Sequence, residues 1–213
     1  MERSLVIRSV QFAYKKERTF KFPDITCKKG EHYLITGSSG CGKTTLLHLI
    51  AGLIKPETGE IAVSGKDITQ LGNKELDQYR GKEIGIVFQK PHFIKSLTAQ
   101  ENLEMAAFLN HLPLDRLHLE YLFDSLHIAG CRNSKTNQMS QGELQRLSIA
   151  RAVVNKPSLI LADEPTSSLD DKNCEESLRL LQQQAEALKA SLIIVTHDNR
   201  LISKFSNIVR LES

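Results

Sequence analysis

Apolar residues alternate with polar ones along the first part of the chain, and this pattern predicts strands with one buried face. The alternation runs over residues 5–14 and continues over residues 19–27, around Pro23. A period of two residues is typical of half-buried strands. The chain is therefore expected to begin with an antiparallel β-layer.

Short apolar runs later in the chain predict a second, mainly parallel sheet. Residues 158–162 and 192–196 are almost continuously apolar, which is typical of strands buried on both faces. Further strand candidates are residues 32–36, 60–63, 84–88 and 208–211, and helical patterns occupy residues 43–53 and 173–188. These elements predict an α/β fold of the P-loop NTPase type, with helices flanking a mainly parallel sheet.

The pattern becomes helical between residue 90 and about residue 138. Residues 98–110 and 115–129 have helical spacing, whereas residues 67–82 are polar and have no clear period. We expect one domain over residues 1–213. Residues 1–89 and 156–213 would form the core and the β-layer, and residues from about 90 to 155 would form an inserted α-helical subdomain.

Composition and charge exclude several classes of protein. The 213 residues are 40% hydrophobic and 25% charged, which suits one globular domain with a real core. A formal net charge of +3 gives no reason to expect a nucleic-acid partner. The widely spaced Cys27, Cys41, Cys131 and Cys174 indicate free thiols. No apolar run approaches the roughly 20 residues of a membrane helix, so a membrane role would require a partner protein.

A glycine-rich segment after the strand at residues 32–36 matches the phosphate-loop pattern in full. The segment consists of Gly37, Ser38, Ser39, Gly40, Cys41, Gly42, Lys43 and Thr44, and Thr45 follows it. Its glycines allow the backbone to curl so that amides point inward at a phosphate. Lys43 is expected to reach the β- and γ-phosphates, and Thr44 is expected to bind Mg²⁺ through its hydroxyl. The segment predicts a nucleotide-binding enzyme.

Two carboxylates follow the buried strand at residues 158–162. They are Asp163 and Glu164. The carboxyl ends of parallel strands are where an α/β sheet opens to its ligand. Asp163 is suited to hold Mg²⁺, directly or through water, and Glu164 is placed to activate an attacking water. The pair predicts hydrolysis of the bound nucleotide.

A third segment, from Met139 to Arg146, has the pattern of a helix start. Ser140 and Glu143 have the spacing of a capping box and precede apolar residues. The free amides and positive dipole of such a helix start bind anions, and Gly142 lets a phosphate approach the backbone. An ordinary capped helix has the same local pattern. The position between the phosphate loop and the two carboxylates favours a role in nucleotide binding.

Together these segments resemble ATP-binding cassette (ABC) proteins, and nearly the whole chain follows the order of that family's motifs. The segment from Met139 to Arg146 resembles the Leu-Ser-Gly-Gly-Gln signature, with Met139, Gln141 and Glu143 in place of Leu, Gly and Gln. The signature acts on a nucleotide that another cassette holds. The resemblance therefore implies a homodimer or paired cassette in which the partner's ATP contacts Ser140, Gln141, Gly142 and Glu143.

The resemblance also implies roles for single residues. Asp163 matches the Walker B aspartate and Glu164 the general base. Gln89 matches the Q-loop glutamine, which senses Mg²⁺ and the γ-phosphate, and His197 matches the switch histidine. The catalytic candidates are therefore Glu164, His197, Gln89 and Lys43, and the candidate Mg²⁺ ligands are Thr44, Gln89 and Asp163.

Two further matches have alternatives that the sequence leaves open. Tyr14 lies where the family has an aromatic residue that stacks on adenine, but it shares a strand face with Val10 and Phe12 and has an alternative in core packing. Residues 167–170, which include Ser168, resemble the D-loop that crosses to the opposing subunit. Asp170 is therefore a nucleotide-binding candidate, with a helix N-cap as the alternative.

Residues 97–103 and 161–166 resemble cassettes of lipoprotein-release and macrolide-export systems. This likeness implies an ATPase subunit on the cytoplasmic face of the inner or plasma membrane. Such a subunit is peripheral and drives a separate membrane permease, which would dock between Gln89 and Leu109. An importer cassette remains an alternative, because the direction of transport follows only from the likeness.

Other classes of ATPase fit the sequence less well. DNA-repair and chromosome-maintenance ATPases separate their halves with a long coiled coil, whereas about 120 residues without sustained heptads separate Lys43 from Asp163. Translation-factor ATPases carry two cassettes in one chain. A small-molecule P-loop kinase would lack the segment from Met139 to Arg146.

Overall fold

The computed structural model describes residues 2–14, 18–167 and 169–212. Within these residues the strands, in chain order, are β1 (Arg3–Tyr14), β2 (Arg18–Lys21), β3 (Ile25–Lys28), β4 (His32–Gly37), β5 (Thr58–Val63), β6 (Lys66–Asp67), β7 (Ile84–Val87), β8 (Leu159–Asp163), β9 (Ser191–Thr196) and β10 (Asn207–Leu211).

The helices lie mainly between β4 and β9. They are α1 (Lys43–Ile50), α2 (Asn73–Glu83), α3 (Ala99–Leu109), α4 (Arg116–Ser125), α5 (Gln141–Val153) and α6 (Asp171–Leu188). Short 3₁₀ helices cover Ala129–Cys131, Thr136–Gln138 and Asn199–Lys204. None of the helices in the described part of the chain is both long and apolar enough to cross a membrane.

The strands form two sheets, as the two strand patterns predict. In the antiparallel sheet the order is β2-β1-β5-β6, and β3 also pairs with β1. In the parallel sheet the order is β10-β4-β9-β8-β7. The parallel register places Thr36 beside Thr196, and Asp163 beside Val195. The phosphate loop and the carboxylate pair therefore meet at the same edge of the sheet, beside the residue that follows Thr196.

The parallel sheet separates two apolar clusters. Ile35 and Ile193 face a cluster that also contains residues of α1 and the antiparallel sheet. Leu34 and Ile194 face the other cluster, which contains residues of α3, α4, α5 and α6. Because both faces are covered, the interiors of β8 and β9 are apolar at successive positions rather than at alternate ones. The predicted α/β fold with a β-layer and added helices is confirmed, whereas the division at residues 90 and 155 stays a prediction.

One predicted element differs in kind from the observed one. The polar segment at residues 67–82 contains a helix, α2, in which Leu76 is the buried residue. Apolar periodicity could not reveal this helix because one buried side chain makes no pattern. The other predicted helices and strands are present, with ends that differ by a few residues.

Candidate active site

The phosphate loop leaves β4 and turns into α1 at Gly42. Gly42 has φ of 101°, a left-handed conformation that residues with a side chain rarely adopt. A Cβ atom placed on Gly42 would also lie 2.8 Å from Cδ1 of Phe20. Both the turn and the packing therefore require glycine at this position. The loop residues Ser39, Gly40, Gly42, Lys43, Thr44 and Thr45 line a cavity of about 490 Å³.

Lys43 lies across the loop that precedes it. Its ammonium donates to the carbonyl oxygens of Gly37 at 2.8 Å and Ser38 at 2.9 Å. The side chain is 8% exposed, and these two acceptors satisfy the buried charge. An ammonium held at the mouth of the loop is suited to bind a phosphate oxygen, as the sequence predicts.

Asp163 ends β8 beside the start of α1. Its Oδ1 accepts from the Thr44 hydroxyl at 3.2 Å, so two of the three predicted Mg²⁺ ligands lie side by side. Burial raises the pKa of Asp163, and the Thr44 hydrogen bond opposes that effect. An ionised carboxylate at a buried site is costly unless a cation or donors compensate it.

Glu164 follows in a left-handed backbone conformation with φ of 46°. The glutamate carboxylate accepts from the Thr196 hydroxyl at 2.7 Å and from the His197 amide at 3.1 Å. Nδ1 of His197 lies 2.7 Å from Oε1 of the same carboxylate. A non-glycine residue in this conformation is strained, and such strain is common at functional sites. Here it turns Glu164 back toward the loop after β9.

Gln89 and Ser167 contact each other, and Ser167 contacts Glu164. The Gln89 amide donates to the Ser167 hydroxyl at 3.5 Å, and that hydroxyl donates to the Glu164 carbonyl oxygen at 3.1 Å. Gln89, Glu164 and His197 line the same cavity as the phosphate loop. The structure therefore gathers the predicted catalytic candidates, together with Lys43, around one cavity.

Phe20 is a residue of this cavity that the sequence patterns did not single out. It lies on β2 opposite Phe12 of β1 and contacts the position of Gly42. Its ring also lies 6.4 Å from that of Tyr14, edge to face. The alternation over residues 19–27 places Phe20 on a strand, but only the pairing with β1 brings it to the phosphate loop.

Tyr14 is half exposed at the end of β1, so core packing does not account for its ring. The exposed fraction of the residue is 49%, although the ring contacts that of Phe12 at 4.7 Å. Its hydroxyl lies 3.4 Å from the Thr45 hydroxyl, beside the phosphate loop. An aromatic ring in this position is available to a base, and the role in adenine stacking stays a prediction.

The Cys41 side chain points away from the nucleotide cavity. Cys41 is 3% exposed, and a Cβ atom placed on Gly37 would lie 2.7 Å from its sulfur. With Phe22 and Arg210 it lines a different cavity. Cys41 therefore belongs to the phosphate loop through its backbone alone.

The start of α5 has the capping box that the sequence predicts. The Ser140 hydroxyl accepts from the Glu143 amide at 3.4 Å, and Glu143 accepts from the Ser140 amide at 2.7 Å. The Ser140 hydroxyl and the Cys131 thiol lie 2.7 and 2.9 Å from the Glu143 carboxylate. The Cys131 thiol, with Ser140, lowers the pKa of Glu143 to about 2, so its carboxylate is ionised at neutral pH.

Two of the four signature candidates, Gln141 and Gly142, lie with Asp170 around a second cavity. This cavity, of about 290 Å³, is lined by Gln141, Gly142, Leu169 and Asp170 among others, and it shares no lining residue with the nucleotide cavity. Asp170 also caps α6, because its Oδ1 accepts from the Asn173 amide at 2.9 Å. Ser168 of the predicted D-loop lies outside the described residues. Within one chain, the structure therefore separates the signature candidates from the phosphate loop.

Comparison with known proteins decides the family. The model of the family described as "ABC transporter" matches residues 20–167. The chain belongs to the ABC transporter family. Within that family it is the ATP-binding cassette, an ATP-hydrolysing subunit that supplies energy to transport.

Curated relatives and solved structures agree with this assignment. The bacitracin export ATP-binding protein BceA of Halalkalibacterium halodurans is 35% identical over 211 residues, which cover 98% of this chain and 83% of that protein. The lipoprotein-releasing system ATP-binding protein LolD of Colwellia psychrerythraea is 37% identical over 190 residues, which cover 88% and 74%. An ATP-binding cassette solved as a post-hydrolysis dimer with ADP and Pi is 32% identical, with a TM-score of 0.85 and coverage of 98% and 94%.

Proposed function

We propose that this cassette hydrolyses ATP only as one half of a two-cassette sandwich. The separation of the signature candidates from the phosphate loop supports this proposal most directly. A nucleotide on the phosphate loop of one copy would meet Ser140 to Glu143 of a second copy. The two copies would then hold two ATP molecules between them, head to tail.

Each residue of the nucleotide cavity has a proposed task. The loop amides and Lys43 bind the phosphates, and Tyr14 stacks on adenine with Phe20 beside it. Glu164 accepts a proton from the attacking water while Thr196 and His197 keep its carboxylate in place. Gln89, which reaches Ser167, reports the state of the γ-phosphate to the segment that follows it.

Mg²⁺ is the proposed metal, and the donors present suit it. Thr44 and Asp163 offer two oxygen ligands, and Gln89 lies on the same cavity. Mg²⁺ prefers oxygen ligands and is usually held by one or two carboxylates together with phosphates. Among the described residues, no group of three or more His, Cys, Asp or Glu side chains is placed to hold a metal, and we propose that the nucleotide phosphates supply further ligands. When bound, the ion neutralises charge on the β- and γ-phosphates.

The proposed partner is a membrane permease that docks in a groove beside α3. The groove, about 470 Å³, includes Leu53, Phe88 and Leu109, with Arg80 and Arg151 among its polar residues. Leu109 is 66% exposed, and Phe108 next to it is 72% exposed. Exposed apolar side chains beside a groove suit the apolar face of a partner helix. Docking here would hold the cassette at the cytoplasmic face of the membrane.

The proposed transport system is of the export type. The relatives named for bacitracin export and lipoprotein release cover most of this chain at 35% and 37% identity. We propose that this cassette drives export or extrusion of a substrate through its permease. Purification of the membrane complex and identification of its permease would test this assignment, and a permease with an importer's binding-protein partner would contradict it.

Complementation between two inactive variants tests the sandwich. Glu164→Gln removes the proposed base, and Ser140→Arg blocks the signature position. In a mixed dimer, one nucleotide site combines both defects while the other has neither. An equimolar mixture should therefore recover up to about a quarter of the wild-type rate, because half of the dimers are mixed and each has one intact site. If both residues served the same chain's nucleotide, the mixture would stay inactive.

A further inference from the structure

We infer that Arg200 is a positioning residue that braces the loop carrying His197 against the segment from Thr166 to Asp171. The inference rests on the proposed roles of Glu164 and His197 and adds a residue that no motif contains. Arg200 lies three residues after His197, at the start of the 3₁₀ helix Asn199–Lys204. Its guanidinium contacts Asp198 in the loop that carries His197, and it also contacts Leu169 and Asp171 in the other segment.

The guanidinium contacts on the His197 side are with Asp198. Nε of Arg200 donates to Asp198 Oδ1 at 2.9 Å, and Nη2 donates to Oδ2 at 2.7 Å. The Asp198 side chain is 10% exposed, whereas the Arg200 side chain is 38% exposed, so the carboxylate is the shielded member of this pair. Arg200 lowers the pKa of Asp198 to about 2, and the pair is therefore ionised at neutral pH. A two-point contact of this kind sets the orientation of both groups.

The contacts on the other side are with the start of α6 and the segment before it. Nη1 of Arg200 donates to Asp171 Oδ1 at 2.6 Å, and Nη2 lies 3.3 Å from the Leu169 carbonyl oxygen. Asp170, the neighbour of these two residues, lines the cavity of the signature candidates. One side chain thus joins the loop of the nucleotide cavity to a segment of the other cavity.

A short chain of hydrogen bonds continues from Asp198 to Glu164. The Asp198 amide donates to the Thr196 hydroxyl at 3.0 Å, and that hydroxyl donates to the Glu164 carboxylate at 2.7 Å. Asp198 Oδ2 also accepts from the Thr166 hydroxyl at 3.0 Å. Thr166 and Thr196 are both fully buried. The position of Asp198 therefore sets which way the Thr196 hydroxyl points, and with it the position of the proposed base.

Arginine is suited to this place in a way that lysine is not. The planar guanidinium offers five N–H donors in a fixed geometry, and here it serves two carboxylates and a carbonyl oxygen at once. A lysine ammonium is a single point on a flexible stem and would serve one side at a time. A displacement of Leu169 or Asp171 would therefore move Arg200 and Asp198. Through the hydrogen bonds described above, it would change the position of the Glu164 carboxylate. We assign Arg200 the task of coupling the two.

The chain contains a matched control. Lys204 Nζ lies 2.8 Å from Glu175 Oε1, and this ion pair joins the same 3₁₀ helix to α6 farther along both elements. Within the described part of the chain, the Lys204 ammonium donates to Glu175 and not to Asp198, Thr166 or Leu169. Lys204→Ala should therefore remove an ion pair between the same 3₁₀ helix and α6 and leave the loop that carries His197 unaffected.

Steady-state ATPase kinetics of the full chain test the inference. Arg200→Ala should lower kcat about tenfold and change KM for ATP little, because displacement of a catalytic group costs rate while the phosphate loop is intact. Arg200→Lys should restore part of the loss. Asp171→Asn, at a side chain 91% exposed, should give a smaller loss of kcat without risk to folding. Added to Arg200→Ala, Asp171→Asn should cause little further loss.

Several results would overturn the inference. An unchanged kcat in Arg200→Ala, or an equal loss in Lys204→Ala, would show that Arg200 has no positioning task of its own. A rise in KM alone would place Arg200 in nucleotide binding instead. Glu164→Gln, measured in parallel, separates this outcome from failure of the proposed function. If Glu164→Gln is inactive while Arg200→Ala is fully active, only the inference about Arg200 fails.

Discussion

His197 holds the carboxylate of Glu164 with both its backbone and its ring. Its amide donates to Oε1 at 3.1 Å, and its Nδ1 lies 2.7 Å from the same oxygen. The His197 side chain is 62% exposed, whereas that of Glu164 is 10% exposed beneath it. With Glu164 ionised, Nδ1 must carry the proton of this hydrogen bond, because a carboxylate only accepts. The tautomer of His197 is thereby set by Glu164.

His197→Ala should lower kcat about 100-fold, because a displaced general base loses most of its contribution. ATP affinity should change little, since the contacts of Lys43 with the phosphate loop do not involve the ring. Single-turnover hydrolysis and equilibrium binding of a fluorescent ATP analogue would separate the two effects.

Thr196→Val is the companion variant, because it removes the other side-chain donor to Glu164 and keeps the buried shape. We expect a loss of kcat smaller than that in His197→Ala. Full hydrolysis by His197→Ala would show that the contact between His197 and Glu164 is incidental.

The sequence predicts the place of a candidate site residue where the backbone or a charge requires that residue type. The left-handed turn of the phosphate loop requires glycine at position 42. The apolar pattern of a strand buried on both faces predicts that Asp163 lies at the carboxyl end of that strand. The capping box at Ser140 is local, so its geometry follows from spacing alone. In each of these cases the physical cause lies within a few residues of the motif.

Residues whose role depends on pairing between distant segments could not be predicted in this way. Phe20 reaches the phosphate loop only because β2 pairs with β1, and Arg200 acts between two loops about 30 residues apart. The helix α2 was not predicted for a different reason. It buries little besides Leu76, so its sequence has no apolar periodicity. Local patterns do not carry such information.

Asp163→Asn should raise the unfolding temperature of the nucleotide-free protein at neutral pH by a few degrees. Burial raises the pKa of Asp163, so its ionised form is less favourable in the folded chain than in the unfolded one. The neutral amide removes that cost and still accepts from Thr44. Thermal unfolding followed by circular dichroism would measure the gain, and ATP hydrolysis should be lost in the same variant.

The stability gained in Asp163→Asn should decrease as the pH falls. Below the ordinary aspartate pKa of 3.8, Asp163 is protonated in both the folded and the unfolded chain, and the wild type has no penalty. The penalty appears as the pH rises through that value and is complete above the raised pKa of the folded state. The difference between Asp163→Asn and wild type should therefore shrink in acid. A gain that persists unchanged below that range would contradict the argument.

Glu143→Gln should stabilise the ATP-bound dimer. The carboxylate of Glu143 is ionised at neutral pH and would lie near the partner's phosphates in the proposed sandwich. Glutamine keeps an acceptor for the Ser140 amide and removes the negative charge. Size-exclusion chromatography or light scattering across a range of ATP concentrations would detect a dimer that forms at lower ATP.

Glu143→Ala is the control for the capping contribution. It removes the charge and the cap together, so it should weaken the helix start and gain less than Glu143→Gln. The comparison is best made in the Glu164→Gln background, where slow hydrolysis lets the dimer accumulate. Equal dimer stability in the glutamate and glutamine forms would place residue 143 away from the partner's phosphates.

Phe108→Glu should weaken binding to the permease without lowering ATP hydrolysis by the isolated cassette. Phe108 is 72% exposed next to the groove beside α3 and lies on no wall of the nucleotide cavity. A charge there would have to be buried against the apolar face of the docked helix, and burial of an unpaired charge is costly. Copurification with the permease and stimulation of ATPase activity in the assembled complex measure the effect.

Leu117→Glu is the matched control, because Leu117 is an 84% exposed residue of α4 that neither lines the groove nor adjoins in sequence a residue that does, whereas Phe108 adjoins Leu109. Its binding to the permease should equal that of the wild type. If Leu117→Glu disrupts the complex and Phe108→Glu does not, the permease docks on the face of α4 rather than in the groove beside α3. The exposed leucine at position 109 would then need another partner, and the link from the γ-phosphate through Gln89 to the membrane would have to follow a different segment.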